Sequence, residues 1–321
     1  MEQLTHDIGN TDENWNESYY LVFYDKENEI GGMSRVGFKP NKPEGMTFFF
    51  IFLPDGSVGA YHLEDNAGNY PENLAVGGVT HKPLRNGSWK FLFEGPLIIL
   101  DDSRNLPKVS KSPEVITDLL GGKIELQFSP INEPYEYSEH MTTKSLELGK
   151  KSGDKHWEQI AQVSGNIRIG EKEYIVEKAM AQRDHTHGIR DWTGVGNWFY
   201  FVVWFGPNLA INPAAIVTDD GELGSGGFLF RDGKNIPLIE ITLKEHKFEE
   251  DGAYPIKTVL ELTDANGNYH ILEAEPGRII PVPFTERDGR ESILIQSFGK
   301  FKLDEITGGY GSYEILRRLD S

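Results

Sequence analysis

The chain has no cysteine in 321 residues. That removes thiol catalysis, zinc–thiolate sites and disulfide stapling, and it fits a reducing compartment. Positive charge is scarce as well: 32 Lys and Arg stand against 50 Asp and Glu, a formal net charge of −18 and a pI near 4.9. Binding to a phosphate backbone requires clustered cations, and so does docking on an anionic bilayer, so neither nucleic acid nor a membrane surface is expected as a partner. Long apolar runs are also missing. The longest, Trp198 to Phe205, has eight residues, where a helix needs about 20 to span a bilayer. Met1 to Asn16 is polar and acidic, without the apolar core of a signal peptide. Residues 1–30 carry eight acidic side chains and one lysine, Lys26, which reads as a solvated lead-in. The expectation is a soluble cytoplasmic protein without membrane insertion. Helical periodicity is almost absent; a single segment has helix punctuation, with Ser112 as cap, Pro113 and Glu114 in the first turn and Gly121 as stop.

Glycine and aromatic residues are plentiful: 35 Gly, with 6 Trp, 13 Tyr and 18 Phe. Turn pairs recur at Pro54-Asp55-Gly56, Asn86-Gly87, Asp219-Asp220-Gly221, Asp232-Gly233, Asn266-Gly267 and Asp288-Gly289. Such pairs supply the positive φ of tight hairpins, so each is expected to join two antiparallel strands. The intervening runs, among them Tyr19–Tyr24, Phe48–Leu53, Trp89–Phe93, Ile124–Phe128, Phe199–Phe205, Phe228–Phe230 and Ile293–Ser297, read as strands. The length suits about two domains of roughly 150 residues. The polar stretch Lys150–Lys155 reads as an exposed loop, and the boundary is placed near residue 175, giving domains 1–175 and 176–321.

Two strands are apolar on both sides. In 48–53, Phe48, Phe50 and Phe52 point one way and Phe49, Ile51 and Leu53 the other. In 198–205, Trp198, Tyr200, Val202 and Trp204 share one face, opposite Phe199, Phe201, Val203 and Phe205. A strand with one wet face alternates apolar and polar, so both faces are covered here, by packed layers or by a cavity.

The densest chemistry is Gln182-Arg183-Asp184-His185-Thr186-His187-Gly188-Ile189-Arg190-Asp191-Trp192. If extended, 183–187 puts Arg183, His185 and His187 on one face and Asp184 on the other. A guanidinium beside two imidazoles depresses their pKa values and favours neutral, proton-accepting rings. Asp191 is expected to pair with a cation. An Arg–Asp network that merely pins a corner would produce the same cluster. His-x-His on a strand also opens cupin metal sites, but the position four after His187 is Asp191, and an arginine at each end of the motif opposes a dication. There is no Gly-x-Ser-x-Gly elbow and no Walker-type loop; Gly224-Ser225-Gly226-Gly227 reads as a turn. His156-Trp157-Glu158-Gln159 places His156 and Glu158 on one strand face, a pattern read as a polar sheet edge.

Taken together, His156-Trp157-Glu158-Gln159, Gly165-Asn166-Ile167 and the 182–192 motif resemble the carotenoid hydratase (hydroxyneurosporene synthase), or AttH-like, superfamily. The similarity runs from about Trp15 to Gly311-Ser312-Tyr313-Glu314, with the long motif the most specific part. The resemblance implies an all-β chain of two tandem lipocalin-like antiparallel β-barrels, with a hydrophobic ligand site near their junction. It also implies a relationship to carotenoid hydratases, an isoflavonoid (kievitone) hydratase, cyclases and Diels–Alder catalysts that act without metal or organic cofactor. In carotenoid hydratases a His and a Trp two residues later are implicated in catalysis; they correspond to His185 and to His187, which replaces the Trp.

The functional expectation is a cofactor-free hydratase, dehydratase, isomerase or cyclase acting on a hydrophobic isoprenoid-like molecule. Asp184 and His185 are the acid/base candidates, His187 the water-orienting group and Arg183 the group that biases their pKa values. Trp192, Trp198, Tyr200 and Trp204 are the candidate aromatic lining. The alternatives are a non-catalytic lipid- or terpenoid-binding protein and a metal-dependent cupin-like enzyme.

Overall fold

The computed structural model describes residues 3–8, 11–66, 70–149, 153–192, 197–218, 222–285 and 289–319. The chain divides into two compact units: Met1–Pro134 with Gly153–Arg190, and Tyr135–Ser152 with Asp191–Ser321.

The first unit begins with β1 (Trp15–Asp25), β2 (Ile30–Lys39), β3 (Glu44–Phe52), β4 (Val58–Asn66), β5 (Ala75–Val76), β6 (Val79–Pro83), β7 (Trp89–Leu100) and β8 (Asp118–Pro130). The short strand β9 (Tyr135–Glu136) and helix α1 (Thr143–Gly149) belong to the second unit. β10 (Lys155–Ile169) and β11 (Lys172–Ile189) then return to the first. Its strands run in the order β4-β3-β2-β1-β11-β10-β8-β7, and a β4–β7 pairing closes them into an eight-stranded antiparallel barrel. The interior is filled by rings from facing strands: Phe49 meets Phe91 edge-on at 5.5 Å and Phe93 at 4.7 Å between centroids, the geometry that ring quadrupoles favour.

The second unit holds β12 (Asn197–Gly206), β13 (Leu209–Val217), β14 (Leu223–Arg231), β15 (Lys234–Phe248), β16 (Pro255–Asp264), β17 (Tyr269–Glu275), β18 (Ile279–Thr285), β19 (Glu291–Leu303) and β20 (Ile306–Leu319). The order is β17-β16-β15-β14-β13-β12-β20-β19, closed by β17–β19, with β18 added outside the ring. Phe199, Phe201, Val203, Phe301 and Tyr313 form its interior core.

Asp55-Gly56, Asn86-Gly87, Asp232-Gly233 and Asn266-Gly267 join consecutive antiparallel strands as expected, each glycine at positive φ. Asp219–Gly221 and Asp288 lie outside the described residues, as do residues 150–152 of the expected loop. The two strands apolar on both faces are indeed buried on both: Phe48 is 4% and Phe49 1% exposed, Trp198 9% and Phe199 4%.

Four expectations are corrected. Residue 175 does not divide the chain, because it lies within β11, one continuous strand paired with β10 on both sides of that residue, and the division falls after Arg190. The helix at 112–121 is a single 3-10 turn, Pro113–Val115; Ser112 makes no side-chain cap bond and Asp118 already starts β8. Gly224–Gly227 is not a turn but part of β14, where the missing side chains make room for α1 and the turn before it. A Cβ on Gly224 would meet Leu148 at 2.9 Å, and one on Gly226 would meet Tyr137 at 2.9 Å. His156–Gln159 pairs with β11 and lies beyond the β8 ladder, which begins at Ala161, but it is not a solvated polar edge, because Glu158 and Gln159 are buried.

At a bulge in β10, Gly165 has φ +147°, and a Cβ there would lie 2.0 Å from the Glu125 carbonyl oxygen of β8. That atom is backbone and has no rotamer to change. Gly165→Ala is therefore expected to destabilise the protein by about 1–3 kcal/mol or more. Gly87→Ala, which faces open space, should cost only its unfavourable positive φ, ~1 kcal/mol. Urea midpoints for the two variants test the contrast.

Candidate functional site

β11 carries two separate polar clusters, one on each face, and the strand's period of two decides which residues enter which. Arg183, His185 and His187 point with Tyr19 and Ala181 toward the barrel interior, while Gln182, Asp184 and Thr186 point outward with Glu158 and His156. The structure therefore brings His185 and His187 together but does not bring Asp184 to either of them.

The interior cluster lies where β1 begins and β11 ends. Its centre is Glu17, which is fully buried. Glu17 Oε1 accepts from His185 Nε2 at 2.8 Å and from His6 Nδ1 at 2.7 Å, and Oε2 accepts from the His6 backbone N–H at 3.1 Å and from the Tyr70 hydroxyl. Because an ionised carboxylate only accepts, these contacts assign protons to His185 Nε2 and His6 Nδ1. Burial pushes the Glu17 carboxyl up, but the hydrogen bond and charge of His185, with His6 and Tyr70, outweigh it and hold the group below its ordinary value. Burial and the Glu17 charge push the Tyr70 phenol up. His185 stacks on Tyr19 at 4.6 Å and on Trp157 at 5.1 Å. His187 is pushed down to about 4, first by burial and then by His6 and His185. The expected agent, Arg183, is not among the groups that push His187 down; its Nε donates to Gln159 Oε1 at 2.9 Å and its guanidinium sits 5.4 Å from the Trp89 ring centre.

The outward cluster is a relay. Thr186 Oγ1 lies 3.1 Å from His156 Nδ1, His156 Nε2 is 2.6 Å from Glu158 Oε1, and Gln182 Nε2 donates to Glu158 Oε2 at 2.6 Å. Glu158 as acceptor places the ring proton on His156 Nε2, so Nδ1 presents the lone pair. Asp184 Oδ2 is 3.9 Å from His156 Nε2, and its side chain is 15% exposed. Burial, with the Glu158 charge adding, pushes its carboxyl up to about 6 against the opposing pull of His156, Arg190 and Arg35. Arg35, on β2, is itself pushed down to about 9 by burial and Arg190. Among the described residues, two triplets have donor atoms close enough to share a cation, His6–Glu17–His185 and His156–Glu158–Asp184. Hydrogen bonds inside each triplet already pair the buried carboxylate, and Arg35 and Arg190 oppose a dication at the second.

The aromatic candidates belong to the second unit. Trp198, Tyr200 and Trp204 share the outward face of β12, opposite its core residues Phe199 and Phe201. Trp198 Nε1 donates to Glu314 Oε1 at 3.0 Å, and Trp192 stacks on Phe284 at 4.5 Å and tilts against Trp198 at 5.6 Å. Asp191 pairs with a cation as expected, Arg290, at 3.2 Å.

Sequence reasoning missed Glu17, His6, Tyr70 and Trp157, and it set aside His156 and Glu158. Nothing local marks Glu17, whose partner His185 is 168 positions away. The solvated lead-in is thereby corrected: Trp15 to Phe23 is buried strand, because it sits between β2 and β11. The alternation of His156 with Glu158 was the one available signal for the outward relay.

A family model for a domain of unknown function, DUF7064, matches residues 2–318. The chain belongs to the DUF7064 family. No curated protein matches it. Among solved structures, an AttH candidate from Nitrosomonas europaea superposes with a TM-score of 0.63 at 12% identity, covering 94% of this chain and 92% of that one. CghA superposes with a TM-score of 0.59 at 10% identity, covering 96% and 88%. Kievitone hydratase from Nectria haematococca gives 0.52 at 10% identity, covering 98% and 94%. At these identities the likeness establishes the fold alone, an AttH-like fold with two β-barrels.

Proposed function

We propose that this protein is an acid–base catalyst of the hydratase type, one that adds water to, removes it from, or shifts a carbon–carbon double bond in an apolar, isoprenoid-like substrate without a cofactor taking part. The observation that carries this reading is the pairing of a carboxyl raised to about 6, Asp184, with an imidazole 3.9 Å away, His156, whose Nε2 is also held by Glu158. A carboxyl raised toward neutrality keeps a protonated fraction that can act as an acid, and an imidazole beside it can accept a proton as a base.

In the hydration direction, protonated Asp184 delivers its proton to one alkene carbon, and the π pair becomes the new C–H bond. Tyr20, opposite Asp184 on β1, and Phe48, opposite Arg35 on β3, lie on the same face and offer aromatic shelter to the cation. Water then adds to the cationic carbon while His156 Nδ1 takes its proton. Glu158 stabilises the imidazolium, and Gln182 positions Glu158. Return of the proton to Asp184 through water closes the cycle, so one H and one OH are added overall. His185 and His187, on the other face, have no step in this scheme. The substrate-lining role of Trp192, Trp198, Tyr200 and Trp204 rests on their buried aromatic surface alone. The hydratase in the name of one structural neighbour is consistent with the chemistry.

The experiment is incubation of purified protein with a panel of terpenols and the corresponding alkenes in D2O, followed by mass spectrometry. Conversion is expected with one carbon-bound deuterium per hydration or double-bond shift and none per dehydration, together with about 10²–10⁴-fold loss in His156→Ala. A co-purified lipid released unchanged, with no conversion across the panel, would favour the binding-protein reading instead.

A further inference from the structure

The interior cluster has no part in that chemistry, yet it is built like a recognition site, and part of the chain already occupies it. Four hydrogen bonds converge on the buried Glu17 carboxylate. Those from His185 and Tyr70 come from the barrel unit's own strand and loop, whereas the other two come from one residue of the segment 3–8, His6, which belongs to no strand. The His6 ring stacks on His187 at 3.9 Å and on Trp157 at 5.5 Å, with 28° and 15° between planes. The Tyr19 hydroxyl donates to the Leu4 carbonyl.

The segment is not held there by apolar burial. Leu4 is 39% and Ile8 40% exposed, so the hydrophobic stabilisation from these two residues is small. What anchors the segment is a planar N–H donor seated between aromatic faces and aimed at a buried, preformed carboxylate. Removing the ring leaves Glu17 Oε1 with one donor in place of two and takes a stacking partner from His187 and Trp157, a loss that any replacement must restore. A small molecule with the same features, a flat aromatic ring bearing an N–H donor, restores the larger part of it.

We propose that the end of the first barrel where β1 begins and β11 ends is a binding site for a planar azole-type ligand, and that His6 is a built-in occupant which competes with that ligand. Glu17 Oε1 is the acceptor, His187 and Trp157 are the stacking faces, and Tyr19 is a second donor for a ligand carbonyl or hydroxyl. Competition has a defined sign: the empty slot binds more tightly than the one His6 fills, because the ligand no longer has to displace an intramolecular partner.

The full-length protein and its His6→Ala variant are titrated with 4-methylimidazole, followed by calorimetry and by Trp fluorescence, with toluene as the ring that lacks a donor. His6→Ala is expected to bind 4-methylimidazole at least tenfold more tightly than the parent and to show no comparable gain for toluene. Adding Glu17→Gln to His6→Ala is expected to reverse that gain. Equal affinity in parent and variant, equal gain for toluene, or loss of the folded state on His6→Ala alone each overturns the proposal; the last would make the segment a structural part of the barrel. None of these outcomes bears on Asp184 and His156, so failure here leaves the proposed acid–base chemistry to its own test.

Discussion

Asp184→Asn is expected to lower turnover by about 10²–10⁴-fold, the usual contribution of a positioned acid or base, while making the protein more stable at pH 7–8. Both effects follow from the same displaced carboxyl. In the folded state burial and Glu158 push it up from 3.8 to about 6. A raised acid works against folding when ionised: above pH 6 the folded state must hold a charge that water solvates better. The penalty is fully present above the folded value and fades as pH falls from about 6 toward 4. A shift of roughly two units corresponds to at most about 3 kcal/mol at 1.36 kcal/mol per unit. Asparagine keeps the shape, removes the charge and should recover about 1–3 kcal/mol at pH 8 but almost nothing at pH 4. Urea melts of parent and variant at the two pH values, alongside rates on a substrate found by the D2O assay, measure both effects. A variant with full turnover would remove Asp184 from the chemistry, and one with no stability gain at pH 8 would show that Arg35 and Arg190 already neutralise it. Retaining a residue that destabilises the fold is typical of active sites, where function and stability compete.

Glu17→Ala is expected to have the opposite character, a loss of about 3–5 kcal/mol, as for removal of one partner from a buried charged pair. Glu17 and His185 are both fully buried and 2.8 Å apart, so truncating the carboxylate strands the imidazole and the Tyr70 hydroxyl inside the barrel. The exposed pair Lys90–Glu125 has the same 2.8 Å separation, yet Glu125→Ala should cost no more than about 1 kcal/mol, because solvent screens it. Equal spacing with unequal cost is the content of this prediction, and denaturation midpoints decide it. The pH dependence also differs in sign from that of Asp184. The Glu17 carboxyl is held below 4.5 in the folded state, so its contribution is present above pH 4.5 and is lost as pH falls through the folded value. If Glu17→Ala and Glu125→Ala prove equally mild, Glu17 is not the centre of the interior cluster.

The two clusters show how far local pattern reaches. The placement of Arg183, His185 and His187 opposite Asp184 was legible because alternation is a property of any extended backbone. The chemistry of each face was not. His185 acquires its role from Glu17, which the ladder between β1 and β11 brings beside it, and from His6, which reaches it from outside every strand. Asp184 acquires its company from Arg35 on β2 and His156 on β10. The charge on residues 1–30 gave the wrong answer for Glu17 because composition averages over a window, whereas burial is decided position by position. Gly224–Gly227 misled in a similar way: glycine relieves crowding as readily as it makes turns, and only the helix packed above β14 distinguishes the two.

The division of labour between sequence and tertiary structure follows from the range of the forces involved. Asn-Gly and Asp-Gly pairs with apolar runs between them determine hairpins, and hairpins in number determine an all-β chain; these are interactions among residues a few positions apart. Ring closure through β4–β7 and β17–β19, the division after Arg190 and the seating of His6 on Glu17 depend on pairings between distant segments. Such pairings are selected by the total packing of a barrel, and no single stretch of sequence contains them. The missing cysteines, scarce cations and short apolar runs narrowed the chemistry, and only the assembled barrel determined which carboxylate meets which imidazole.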